Sequence, residues 1–160
     1  MTHTLFLVLK LFAAIGCGLI AGVFFAFSTF VMQALAQQPP AAAIATMQSI
    51  NITVINPWFM TAFLGTGVVC LLAIVAALLK WQPPISTFLL MGSLFYLIGT
   101  VGVTIVFNVP LNDALAIANP NSTEGANLWA NYLTKWTLWN HVRTIASLIA
   151  AVMFTLIPLK

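Results

Sequence analysis

Four largely apolar segments of the chain are each long enough to cross a lipid bilayer as an α-helix, which requires roughly 20 residues. They run from about Leu5 to Leu35, Trp58 to Leu79, Ile85 to Phe107 and Trp139 to Leu159. These segments predict an all-α fold, an integral membrane four-helix bundle. We expect a single transmembrane domain over residues 1–160.

The composition supports the membrane environment and excludes a soluble module. Of 160 residues, 62% are hydrophobic and only 4% are charged, whereas soluble domains have about 25% charged residues. The five basic residues are scattered singly, so a nucleic-acid-binding surface is not expected. Cys17 and Cys70 lie in apolar segments without a CxxC motif, which argues against a disulfide framework or a zinc site. The expected surroundings are the lipid bilayer.

The connections between the segments differ in length. "KWQPP" joins the second and third segments as a tight reversal, so these helices are expected to be antiparallel neighbours. The first connection predicts a short interfacial helix from about Ala41 to Ile50, followed by Asn56 as the N-cap and Pro57 as the first residue of the second span. In that short helix, Ile44 and Met47 would face the lipid or the bundle end. The last connection predicts an amphipathic helix that runs unbroken into the fourth span.

Two side-chain patterns predict contacts of the helices. Ala14, Gly18, Gly22 and Ala26 recur every fourth residue and predict a face that a neighbouring helix approaches closely. "AIGCG" around Cys17 resembles a lipoprotein cleavage box, but the apolar run continues to Ala36, so we expect a retained helix. Aromatic residues at helical spacing before the fourth span predict a belt at the membrane interface; they are Trp129, Tyr132, Trp136 and Trp139.

The basic residues predict an orientation. With four spans both termini share one side, which would hold Lys10, Lys80 and Lys160, while Lys135 and Arg143 belong to the other. Basic residues favour the cytoplasmic side. We therefore expect the termini inside, with the protein in a bacterial cytoplasmic membrane.

Strong polar residues converge at the opposite, outer end of the predicted bundle. They include Gln33, Asn56, Asn108 and Asn112 together with the start of the fourth span. Arg143 lies about one turn inside the apolar boundary, where a charge is costly and usually marks function. On a helical wheel an arc of about a third of the circumference contains Trp136, Trp139, Asn140, Arg143 and Ser147, while His141 falls outside it.

Four stretches carry a resemblance to a known family: "GLIAGVFFAFSTFVMQAL", "MQSINITVINPWFM", "FNVPLNDAL" and "WTLWNHVRT". In this order they resemble the anthrone-oxygenase-like family of small four-helix integral membrane proteins, formerly a domain of unknown function. The resemblance implies a monooxygenase without cofactor or metal that converts an anthrone, or a similar polycyclic quinone-type compound, with O₂. A hydrophobic polycyclic small molecule and O₂ would then be its partners.

That chemistry removes an acidic C–H proton and stabilises the resulting enolate-like anion. Arg143 is the expected oxyanion-binding residue, and hydrogen bonds from Asn140, Asn108 or Asn56 would assist it. The base would be His141, since histidine is the side chain that most often serves as a general base, with Asp113 as the alternative. Binding of the substrate would involve Asn112 as well, and a flat ligand would stack against Trp136 and Trp139 unless these residues form the interface belt.

The sequence also allows a second function. The chain would then be a non-enzymatic accessory subunit or a lipid- or quinone-binding protein, as a homo-oligomer or in a larger membrane complex. The surroundings of Arg143 discriminate between the two functions. An accessory subunit would have this residue paired with a carboxylate or facing lipid, whereas an enzyme would have it lining a cavity without an acidic partner.

Overall fold

The structure is a computed structural model that describes residues 3–158, and this part of the chain is built from helices without a strand. The predicted end of the fourth span at Leu159, and Lys160, lie outside the described residues. Helix α1 (His3–Ala26) continues through a first π-helical segment (Phe27–Val31) into α2 (Met32–Ala36). Together they form one continuous helix, as the first apolar segment predicts.

Two helices follow the first turn of the chain. Helix α3 (Pro40–Thr53) is the predicted interfacial helix, and α4 (Pro57–Leu79) is the second apolar segment. Asn56 caps α4, because its side-chain oxygen accepts a hydrogen bond of 3.0 Å from the backbone N–H of Phe59. Pro57 is the first helical residue, where its missing N–H costs nothing. The predicted cap is therefore confirmed.

The third long helix is irregular along its second half. It begins as α5 (Ile85–Tyr96), passes through a second and a third π-helical segment (Leu97–Gly102 and Thr104–Asn108), and ends as α6 (Val109–Ala116). It extends past the predicted end at Phe107, and Pro110 lies inside it, directly after the third π-helical segment.

Helix α7 (Thr123–Thr155) is a single helix of 33 residues, about 50 Å long at 1.5 Å per residue. Ser122 begins it as the N-cap, accepting a 2.9 Å hydrogen bond from the backbone N–H of Gly125. The prediction that the amphipathic segment runs unbroken into the last apolar segment is confirmed.

The four long helices pack in a ring, in which α1 contacts α4 and α7, and α5 contacts the same two helices. Their buried side chains form a first apolar cluster centred on Phe63, Tyr96 and Phe154. A second cluster closes one end of the ring, where α3 lies across α6 and the first half of α7. In this cluster Ile44 and Met47 are buried, so they face the bundle end rather than lipid.

Three of the continuous helices are long and apolar enough to cross a membrane: Phe6–Ala36, Pro57–Leu79 and Ile85–Ala116. They suggest a membrane protein. Helix α7 is not among them, since Asn140, His141 and Arg143 interrupt its apolar sequence. A fourth span therefore stays a prediction.

Two predicted contact patterns are wrong within the chain. Gly18 and Gly22 face open space, because α1 turns a different side inward, with Ala13, Cys17 and Phe24. Most of the predicted aromatic belt is buried, because α3 covers this part of α7; Trp129, Tyr132 and Trp136 are at most 5% exposed. The strongly exposed tryptophans stand instead at the two ends of α4, and they are Trp58 and Trp81.

Candidate functional site

A cavity of about 320 Å³ lies between the two apolar clusters. Its walls come from α1, α3, α4, α7 and the irregular part of the third helix. This volume is in the range of small-molecule sites, about 300–1,000 Å³. Most lining side chains are apolar, and the polar groups among them are Asn51, Thr104, Asn112, Trp136 and Arg143. An apolar chamber with a few placed polar groups fits a largely hydrophobic ligand with one or two oxygen atoms.

Arg143 is the one charged residue that lines this cavity, and it is only 4% exposed. Its Nη2 donates a 2.8 Å hydrogen bond to Asn140, and its Nη1 donates a longer one of 3.3 Å to Thr104. The guanidinium carbon lies 4.2 Å from the ring centroid of Phe24 and 5.0 Å from that of Trp136. The Nε–H is buried without a partner among the described residues.

No carboxylate of the described part of the chain neutralises Arg143. The chain has two acidic residues, Asp113 and Glu124, and both are exposed. A buried charge without a counter-ion is expensive. Hydrogen bonds and aromatic faces hold the guanidinium in place, and its positive charge stays available to a ligand.

Asn140 connects Arg143 to the first helix. Its Nδ2 donates hydrogen bonds of 2.7 Å to the backbone oxygen of Phe24 and to the hydroxyl of Ser28. The hydroxyl of Thr144 lies 3.1 Å from that of Ser28. Asn140, Arg143 and Thr144 share one face of α7 because they are three and four residues apart. The sequence placed Asn140 on the same arc as Arg143 as a donor to the oxyanion; in the structure Asn140 contacts Arg143 and α1 and does not line the cavity, so its direct role stays a prediction.

A second polar group surrounds Asn112. Its Oδ1 accepts two hydrogen bonds of 2.8 Å, from the hydroxyl of Tyr132 and from Nε1 of Trp136. Burial raises the pKa of Tyr132, so this hydroxyl keeps its proton and acts as the donor. Nδ2 of Asn51 lies 3.5 Å from the same hydroxyl. Asn112, Trp136 and Asn51 therefore form a connected polar wall.

Asn108 lies behind this wall rather than in it. It is fully buried, and its Nδ2 donates a 3.2 Å hydrogen bond to the backbone oxygen of Trp136. Its Oδ1 has no partner among the described residues. Since Asn108 is not a lining residue of the cavity, its observed contact is one that supports Trp136.

The structure does not bring the remaining predicted site residues to the cavity. His141 is exposed on α7 and Asp113 is exposed on α6, and neither lines the cavity. Asn56 is engaged in capping α4. Trp139 stacks on Phe107 at 3.6 Å between ring centroids, outside the cavity lining. A role of these four residues in catalysis or binding stays a prediction.

Several residues of the site were not predicted as site residues from the sequence; they are Ser28, Asn51, Thr104 and Tyr132. Tyr132 was expected only in the interface belt, and Ser28 and Asn51 lie in stretches that carry the family resemblance without a role of their own. A signal for one of them was nevertheless present, because polar residues occupy every fourth position of the third helix: Thr100, Thr104, Asn108 and Asn112. This spacing places polar groups along the side of the helix that faces α7, where the hydroxyl of Thr100 lies 2.8 Å from that of Ser147.

Comparison with known proteins relates the chain to one protein family. A family model described as anthrone oxygenase matches residues 59–153. The matched stretch contains Thr104, Asn112, Trp136 and Arg143, whereas α3 precedes it. Searches among curated proteins and among solved structures found no match to the chain.

Proposed function

Because the chain belongs to the anthrone oxygenase family, we propose that it is an integral membrane monooxygenase. Its substrate is an anthrone, or a similar polycyclic compound that is oxidised to a quinone, and the reaction uses O₂ without a cofactor. The observation that carries this proposal is Arg143, a buried cation that lines an apolar cavity while both acidic side chains, Asp113 and Glu124, are exposed.

The cation fits the step that creates negative charge on the substrate. When the methylene group opposite the carbonyl of an anthrone loses a proton, the charge moves to the carbonyl oxygen. Arg143 stabilises this oxyanion, and the apolar walls make that interaction stronger than it would be in water. Asn140 and Thr104 keep the guanidinium at the wall.

The oxidation then balances with one molecule of O₂. One oxygen atom becomes the new carbonyl of the quinone, and the other leaves as water with the two hydrogens of the methylene group. The cavity supports this reaction by holding the carbanion-like ring away from bulk water, where side reactions of the intermediate would compete.

The proposed membrane arrangement uses α7 as the fourth span of the bundle. Its polar residues at membrane depth point inward, since Asn140, Arg143 and Ser147 are buried. Apart from His141, its exposed side chains between residues 138 and 156 are mainly apolar, among them Leu138, Val142, Ile145, Leu148, Val152 and Leu156. A hydrophobic substrate dissolved in the bilayer is then close to the cavity.

The test is oxygen consumption by the purified protein in detergent with a simple anthrone, corrected for spontaneous autoxidation. Removing one oxyanion-binding donor lowers kcat by about 100- to 1,000-fold in well-studied enzymes, and we expect a loss of this size for Arg143→Gln. Lys135→Ala is the matched control, because it removes an exposed cation from the same helix. Its rate should equal that of the wild type.

Three outcomes separate the functions. Quinone formation that depends on Arg143 supports the oxygenase. Equal rates for the wild type and Arg143→Gln, with both proteins folded, contradict the role of Arg143 in the reaction. If the wild type binds the anthrone without consuming O₂ above background, the alternative of a lipid- or quinone-binding protein replaces the oxygenase. His141→Ala and Asp113→Asn, in the same assay, decide whether either predicted base takes part.

A further inference from the structure

We propose that Asn112 is a second ligand-binding residue of the cavity and acts as a fixed hydrogen-bond donor. It selects ligands that have two oxygen acceptors on opposite edges, one bound by Arg143 and the other by Asn112. The inference rests on the proposed function for its ligand class, planar tricyclic ketones. It goes beyond that function by assigning the recognition of a second oxygen atom to a named group.

The orientation of the Asn112 amide is fixed by its neighbours. An indole N–H can only donate a hydrogen bond, so the group that faces Nε1 of Trp136 at 2.8 Å must be the amide oxygen. The hydroxyl of Tyr132 donates to the same oxygen, also at 2.8 Å. With both donors on Oδ1, reversing the amide would place its N–H groups against the indole N–H.

The nitrogen of this amide is consequently available to a ligand. Asn112 lines the cavity, and its Nδ2 donates to none of the described residues, while the atom is not sealed off inside the protein. An amide nitrogen carries two N–H donors and accepts no hydrogen bond. This part of the wall therefore favours a carbonyl oxygen over an N–H group.

Trp136 lies between the two polar groups of the cavity. Its ring faces the guanidinium of Arg143, with 5.0 Å from the ring centroid to Cζ, while its Nε1 donates to Asn112. One donor thus lies over the face of the indole and the other at its Nε1 edge. A planar ring system that lies in the cavity between these two groups, with oxygen acceptors on opposite edges, would meet a donor at each edge.

Two tricyclic ligands of nearly equal shape test this arrangement. Anthraquinone has carbonyl oxygens on opposite edges, whereas acridone has a carbonyl on one edge and an N–H on the other. In either orientation acridone presents its N–H to a donor, from Asn112 or from Arg143. We expect the wild type to bind anthraquinone about tenfold more tightly, the effect of one mispaired buried polar group.

Asn112→Asp exchanges the donor for an acceptor and keeps the oxygen that Tyr132 and Trp136 need. We expect this variant to lose the preference for anthraquinone or to prefer acridone. Asn119→Asp, the same substitution at an exposed position, should retain the wild-type ratio. The readout is the ratio of the two Kd values of the full chain in detergent, measured by equilibrium dialysis with empty micelles subtracted.

The outcomes are independent of turnover. Three results would each overturn the inference: equal Kd values in the wild type, no binding of either ligand, or an unchanged Kd ratio in folded Asn112→Asp. If that variant does not fold, the Kd ratio of the wild type alone decides. Tighter binding of anthraquinone without O₂ consumption would contradict the oxygenase proposal and support the role of Asn112. O₂ consumption with equal Kd values would support the oxygenase and contradict the role of Asn112.

Discussion

Asn140 is the residue on which the position of Arg143 depends. It uses its amide nitrogen for two contacts with α1 and its amide oxygen for the guanidinium. A buried amide with all of these groups paired specifies one geometry, whereas a partly paired one would cost stability. The charge at the cavity wall is therefore tied to the packing of α1 against α7.

We expect Asn140→Leu to lower the free energy of unfolding by about 1–3 kcal/mol, the cost of leaving buried polar groups unpaired. Asn131→Leu is the matched control, since Asn131 is exposed on the same helix. The measurement is unfolding in mixed micelles with increasing SDS. Equal midpoints for the two variants would show that the Asn140 contacts do not stabilise the packing.

The same substitution should also reduce oxygen consumption with an anthrone. Without the Asn140 oxygen, Arg143 keeps only the long hydrogen bond to Thr104, and its guanidinium is free to leave the productive geometry. We expect a drop in kcat of about 100-fold, comparable to the smaller effects of removing an oxyanion-binding donor. A folded Asn140→Leu with the wild-type kcat would contradict the supporting role of this residue.

For single residues, the sequence predicts a role where a polar or charged side chain stands out from an apolar segment. Arg143 stands out because a cation one turn inside an apolar segment is costly, and Asn140 follows from its spacing to Arg143. His141 is a plausible base by residue type but points outward, because one residue along a helix is a rotation of about 100°. Contacts such as that of Asn51 with Tyr132 join α3 to α7, and no local pattern encodes them.

The first and third long helices, which both line the cavity, contain π-helical segments. Three π-helical segments occur in the described helices, and each contributes lining residues: Phe27 from the first, Val101 from the second, and Thr104 and Ile105 from the third. A π-helical turn contains one residue more than an α-helical turn, and such turns are frequent at functional sites. Because the extra residue shifts the register of the residues that follow it in the same helix, α-helical spacing no longer holds along the third helix after Leu97, whereas it holds in α7.

Gly99 controls how closely the second π-helical segment approaches α7. A Cβ atom at this position would lie 2.5 Å from the Cβ of Ala146, a contact that only a backbone shift relieves. We expect Gly99→Ala to destabilise the protein by about 1–3 kcal/mol and to weaken the nearby Arg143–Thr104 contact, which lowers turnover. Thermal unfolding in detergent and oxygen consumption measure the two effects.

Gly18→Ala is the control for this prediction. Nothing lies within 4 Å of a Cβ atom at Gly18, and alanine is favoured over glycine in a helix by about 0.5–1 kcal/mol. This variant should be as stable as the wild type or more stable. If both glycine variants behaved alike, the close approach at Ala146 would not be the cause of the Gly99 effect.

On the scale of the whole molecule, the helices and their order follow from the sequence, because long apolar segments leave few alternatives. The start of α4 at Pro57 and the continuity of α7 were predictable from a cap and from the absence of a breaker. The position of α3 was not, since its apolar and polar residues are spread around the helix and indicate no preferred face. This helix buries the predicted belt and closes the bundle end beside the cavity.

The two ends of the bundle differ in their basic residues, and this difference predicts an orientation in the membrane. Lys80 lies in the short connection between α4 and α5, and Lys10 near the start of α1 donates to the backbone oxygen of Ile157 at the end of α7. These lysines share one end, and the positive-inside tendency places it in the cytoplasm. The cavity then belongs to the outer half of the bilayer.

Two single cysteines test this orientation, Gln82→Cys in the α4–α5 connection and Asn121→Cys before α7, both at exposed positions. The native Cys17 and Cys70 are fully buried, so they give little background with a membrane-impermeant maleimide. In right-side-out vesicles we expect labelling of Asn121→Cys, and of Gln82→Cys only after permeabilisation. The opposite pattern would invert the bundle and place Arg143 near the cytoplasmic face, whereas equal labelling of both would contradict a membrane-spanning bundle.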